Sequence, residues 1–121
     1  MKIALIDYGA GNIQSVKYAV NRLGYQPVLT KKHDEICSAD KVIFPGVGSA
    51  KAAMEQLKES GLDKLIPTLT QPVLGICVGM QLMCEYSYEG DVKCLGIIDA
   101  QVKKFEGDLK IPHMGWNTIK D

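Results

Sequence analysis

The chain has 121 residues in which 14 Lys and Arg offset 14 Asp and Glu, so its formal charge is zero and it lacks the basic stripe that nucleic acid or an anionic lipid surface demands. Apolar residues make up 46% and charged residues 23%, ordinary globular usage that excludes a disordered tail or a fibrous protein and predicts one domain. The longest apolar stretches, Ala4 to Ile6 and Pro72 to Met80, fall far short of the roughly 20 residues of a membrane-spanning helix. Met1 and Lys2 run straight into a β-like segment without the apolar core of a signal peptide, which predicts a cytoplasmic protein. Cys37, Cys77, Cys84 and Cys94 form no C-x-x-C pair and match no zinc or disulfide spacing, so free thiols and no metal are expected.

Short apolar runs alternate with segments of helical period, the sequence form of a βαβ architecture around a parallel sheet. Ile3 to Ile6 is the first strand, followed by the turn Gly9, Ala10, Gly11, Asn12 and a helix with Ile13, Val16, Val20 and Leu23 on its apolar face, stopped at Gly24. Pro27 to Thr30 and Val42 to Phe44 are the next strands. Pro45 to Gly48 then forms a loop, with Ser49 as N-cap of a helix that turns Ala50, Ala53, Met54 and Leu57 inward and ends at Gly61. Val73 to Ile76, apolar on both faces, reads as a strand at the centre of a sheet covered on each side. Residues 78 to 87 read as helix, and short strands are expected around Gly96 to Phe105 and Lys110 to Ile119.

The strongest chemical signal is Gly75-Ile76-Cys77-Val78-Gly79. A nucleophile-type residue with glycines two positions away on either side, between a strand and a helix, has the spacing of a nucleophile elbow, where bulky neighbours would collide. The unpaired amides and dipole at a helix N-terminus favour a thiolate. Free cysteines are more often small buried hydrophobes, and Cys84 and Cys94, without flanking glycines, are read that way. A thiolate attacking a carbonyl creates an oxyanion that must meet N–H donors. The amide of Val78 is one candidate, and an amide of Gly46, Val47 or Gly48 another, because sites in open α/β sheets collect at the carboxyl ends of strands. Gly9-Ala10-Gly11 begins like a dinucleotide fingerprint, but Gln14 replaces its third glycine and Thr30 with Lys31 stands near where the ribose-binding acid belongs. His33, among Lys31, Lys32, Asp34 and Glu35, reads as part of a solvated loop, and nothing local makes His113 a general base.

Four segments resemble one family. DYGAGN (Asp7 to Asn12), PGVGSA (Pro45 to Ala50), GICVGMQ (Gly75 to Gln81) and PHMGWN (Pro112 to Asn117) stand in the order found in the glutamine amidotransferase subunits of imidazole glycerol phosphate synthase, class I cysteine-triad glutaminases. The resemblance implies a flavodoxin-like, doubly wound and mostly parallel sheet, with 1–121 forming a single incomplete domain. It implies that Cys77 attacks the side-chain amide of glutamine and releases ammonia, without a cofactor. It implies that Val78 and the loop Gly46 to Gly48 supply oxyanion donors, and that Gly48 and Gln81 contact the substrate. Ammonia would pass to a (β/α)8-barrel cyclase partner of a heterodimer, docked around Asn12 and Trp116. In the family the triad His and Glu lie beyond the region matched here, and neither His33 nor His113 corresponds to that His. Three other readings are a non-catalytic partner-binding module, a paralogue that feeds another synthase, and a nucleotide-binding flavodoxin-like protein.

Overall fold

The computed structural model describes residues 1–9, 13–88 and 90–103. Ile3–Ile6 (β1) is apolar at every position, and all four residues are buried because both faces of the strand are covered. Alternate residues point to opposite faces, so Ile3 and Leu5 meet Val20 and the flanking Ile13 and Val16 of Ile13–Arg22 (α1). Ala4 and Ile6 face a larger cluster with Ala53, Met54 and Leu57 of Ala50–Ser60 (α3), Leu62 of Leu62–Leu65 (α4), and Ile66 of the 3-10 turn Ile66–Thr68. Val28–Thr30 (β2), Lys41–Phe44 (β3) and Val73–Gly75 (β4) complete a parallel sheet in the order β2-β1-β3-β4. That order, with β1 flanked by β2 and β3, is the start of the flavodoxin-like doubly wound sheet expected from the sequence.

Two caps anchor α3. The Ser49 hydroxyl accepts from the Ala52 amide at 3.0 Å, and Gly61 closes the helix at φ +73°, a left-handed conformation suited to glycine. Gly24, beyond α1, has φ +93°.

Three expectations need correction. Val73–Gly75 is an edge strand among the described residues, paired to β3 alone; Ile43 lies beside Leu74 on the face that α1 covers, but α1 does not reach Leu74, which is 59% exposed. The segment around His33 is not a loop: His33–Cys37 (α2) is a short helix pinned by the fully buried Ile36 and braced by Gln71, whose amide nitrogen donates to the carbonyls of Ile36 at 2.9 Å and Ala39 at 3.1 Å. The helix starting at Val78 stops early. Val78–Met83 (α5) gives way to Cys84–Ser87 (β5), where the backbone turns extended at Cys84 and finds partners in Val92–Lys93 (β6, antiparallel) and Ile98–Val102 (β7, parallel). The expected strand near Gly96 is β7, and the one at Lys110 to Ile119 lies outside the described residues.

Candidate active site

β3 and β4 are adjacent and parallel, so the loops leaving their carboxyl ends start side by side. The Ile76 amide donates to the Phe44 carbonyl at 3.0 Å, carrying the pairing one residue past β4. The chain then reverses at Cys77, whose backbone sits at φ 54° and ψ −123°, a conformation non-glycine residues rarely adopt. The side chain is exposed, and Val78 directly after it is buried. Such a turn exists only where its neighbours have no side chains. A Cβ on Gly79 would lie 2.0 Å from the Phe44 carbonyl oxygen, and one on Gly75 would lie 2.6 Å from the Met83 sulfur and 2.8 Å from the Met80 Cα. The spacing noted in the sequence therefore has a steric cause at both glycines.

The loop Pro45 to Gly48 packs against the elbow. Pro45 and Gly46 are buried, Val47 is about half exposed, and Gly48 adopts φ +86° in open space. The structure thus brings Pro45 and Gly46 against Val78 and Gly79, directly after Cys77, with Val47 and Gly48 following in the same loop. The Val78 amide donates to the Gly46 carbonyl at 3.1 Å, so a carbonyl oxygen occupies the donor in this conformation. Gln81 follows Cys77 by one helical turn, its amide donating to the Cys77 carbonyl at 3.2 Å, and its side chain is half-buried.

Sequence reasoning missed Tyr8. Its ring is buried just past β1, in tilted contact with Phe44 at 5.5 Å, and its hydroxyl donates to the Pro45 carbonyl at 2.7 Å. Burial pushes the phenol far above its ordinary range, so the group remains a protonated donor. The only sequence signal was an aromatic residue directly after a strand and before a glycine turn.

The remaining candidates lie elsewhere. His33 sits at the start of α2 with Nε2 hydrogen-bonded to the Ser60 carbonyl at 3.0 Å. Cys37 is exposed at the end of α2, Cys84 is half-buried at the end of α5, and Cys94 is buried, with its thiol pushed up by burial and by Cys84. Gly9, the first glycine of the nucleotide-like turn, has φ +94° and Gln56 Oε1 3.1 Å from where a Cβ would stand, and the second, Gly11, lies outside the described residues. A cleft of about 520 Å³ opens next to it, between Asp7, Thr30, Lys31 and Glu35. Asn12, His113 and Trp116 lie outside the described residues. Among the described residues no group of three or more His, Cys, Asp or Glu could hold a metal, and no helix is long and apolar enough to cross a membrane.

A parallel flavodoxin-like sheet with a strained, exposed cysteine in the turn from its fourth strand into a helix has the strand–turn–helix form of a nucleophile elbow. The family that matches is glutamine amidotransferase class-I, over residues 4–119, and the chain belongs to it. It is 59% identical over 122 aligned positions to the imidazole glycerol phosphate synthase subunit HisH of Bacteroides fragilis (strain YCH46), covering 98% of this chain and 62% of that protein. The subunit HisH of Pectobacterium atrosepticum is 51% identical, again over 98% of this chain and 62% of the relative. The chain thus spans less than two thirds of the length of these curated relatives. A crystal structure of a glutamine amidotransferase superposes with a TM-score of 0.69 at 18% identity, covering 81% of this chain and 54% of that one, which supports the fold.

Proposed function

We propose that the chain carries the nucleophile and oxyanion loop of a glutaminase subunit that serves an imidazole glycerol phosphate synthase. The observation that carries this reading is the exposed Cys77 at positive φ, held between Gly75 and Gly79, with Pro45 and Gly46 packed on the two residues that follow it. The Cys77 thiolate attacks the side-chain amide carbon of glutamine; the carbonyl π pair moves to oxygen and the oxyanion forms. Collapse expels the amide nitrogen as ammonia once that nitrogen is protonated, leaving a γ-glutamyl thioester that water hydrolyses to glutamate and free thiol.

The loop must move for this. With the Gly46 carbonyl on the Val78 amide, an incoming oxyanion would meet a carbonyl oxygen. Turning the Gly46–Val47 peptide exchanges that oxygen for the Val47 N–H and frees the Val78 N–H, so both donors face one point. Gly46, with no side chain to meet the Tyr8 hydroxyl and the Gly79 amide, is the pivot of that turn, and Gly48 and Gln81 border the place where glutamine binds. The family resemblance places the proton donor at the leaving nitrogen in the part of the relatives beyond the matched region, and His33 bonds instead to the Ser60 carbonyl. Ammonia passes to a barrel-type cyclase docked around Asn12 and Trp116.

The test is ammonia release from glutamine by the chain extended to the length of its relatives, with the cyclase partner present. The extended chain turns over and Cys77→Ala does not, while the 121 residues alone release little, because loss of one triad member costs on the order of a million-fold. Full turnover by the short chain, abolished by His33→Ala or His113→Ala, would contradict the placement of the proton donor.

A further inference from the structure

The loop that packs on Val78 and Gly79, directly after Cys77, is held by two hydrogen bonds among the described residues. The Val78 amide donates to the Gly46 carbonyl at 3.1 Å, and the Tyr8 hydroxyl donates to the Pro45 carbonyl at 2.7 Å. The first must break before the Val78 N–H can meet an oxyanion. Tyr8 is then the bond that keeps the loop in place while its next peptide turns.

We propose that Tyr8 is a positioning residue for the oxyanion loop: it pins Pro45 so that the Gly46–Val47 peptide turns about a fixed point and delivers its N–H to the reacting carbonyl. The inference rests on the glutaminase reading of Cys77 given above. Three further observations support it. Tyr8 follows β1 and Pro45 follows β3, and those strands are paired directly, so donor and acceptor are both fixed to the sheet. The ring is locked against Phe44, and the residue is 5% exposed. The hydroxyl also closes over the pivot: a Cβ on Gly46 would lie 2.6 Å from Tyr8 Oη and 2.9 Å from the Gly79 amide nitrogen, so only glycine can turn in that gap. Burial keeps the phenol protonated, so it serves as a hydrogen-bond donor and not as a base.

The test compares Tyr8→Phe with the parent, using two electrophiles on Cys77 and Cys77→Ala as background. The γ-(p-nitrophenyl) ester of glutamate reacts through an oxyanion: the sulfur–carbon bond forms, the carbonyl pair moves to oxygen and returns, and p-nitrophenolate leaves with the bonding pair and no proton. Iodoacetamide reacts by direct displacement of iodide and needs no oxyanion donor. Phenylalanine keeps the contact with Phe44, and an intact alkylation rate doubles as proof that the elbow is folded. The expected result is acylation about tenfold slower in Tyr8→Phe, the scale of one lost hydrogen bond, with alkylation unchanged within about twofold. Acylation as fast as in the parent, or a parallel fall in both rates, would overturn the positioning role. A parent that alkylates at Cys77 but shows no acylation there would overturn the glutaminase reading itself, and the role of Tyr8 with it.

Discussion

A cysteine at φ 54° holds strain of about 1–3 kcal/mol that the rest of the structure must offset, and here the packing of Gly75 and Gly79 against backbone and side chains does so. The two kinds of glycine around the site are separable by mutation. Gly79→Ala drives a Cβ to 2.0 Å from the Phe44 carbonyl and is expected to cost about 3 kcal/mol or more in urea denaturation. Gly48→Ala meets nothing within 4 Å and pays only for its left-handed backbone, about 1 kcal/mol. Equal losses would show that the elbow is not sterically locked. Cys77 was legible in the sequence because its steric requirement falls on two glycines close by in the chain. Tyr8 was not, because its partner is a backbone carbonyl 37 residues away, and backbone groups leave no mark on residue identity. The occupation of the Val78 amide by Gly46 was hidden for the same reason.

Elements with strong local signals appeared where the sequence put them. Ser49, the apolar spacing through Leu57 and the terminal Gly61 delimit α3 to the residue, and Ser49→Ala is expected to remove about 1 kcal/mol and lower the melting temperature by about 4 °C. An unchanged melting temperature would mean that the Ala52 amide finds another acceptor. The misreadings share a cause, which is reliance on contacts distant in sequence. α2 offers one buried apolar residue, Ile36, in a charged stretch, too little to show a helical period, and its brace comes from Gln71. Cys84–Ser87 continues a helical pattern on paper, but pairing with β6 and β7 and the bonds from Leu95 N–H to the Leu82 carbonyl and Gly96 N–H to the Cys84 carbonyl draw the backbone into a strand.

At the scale of the whole molecule, the parallel pairing of the four-stranded sheet followed from the alternation of apolar runs and helical segments and its flavodoxin-like order from the family resemblance, whereas the edge position of β4 among the described residues did not, since apolar residues record a demand for burial and not which neighbour meets it. Leu5 and Leu74 stand on the same face of the sheet with opposite exposure, 0% and 59%. Leu5→Ala is expected to cost about 2–5 kcal/mol and Leu74→Ala less than about 0.5 kcal/mol in chemical denaturation, unless a further segment or partner covers β4. A large loss at Leu74 would show that its face is covered in solution. Exposure alone does not single out Cys77 among the thiols, because Cys37 is exposed as well. The most direct measurement is therefore peptide mapping after limited labelling of the folded chain with a glutamine-like electrophile. The elbow reading predicts that Cys77 carries the label first, ahead of Cys37, Cys84 and Cys94; preferential labelling of any of those three would contradict it.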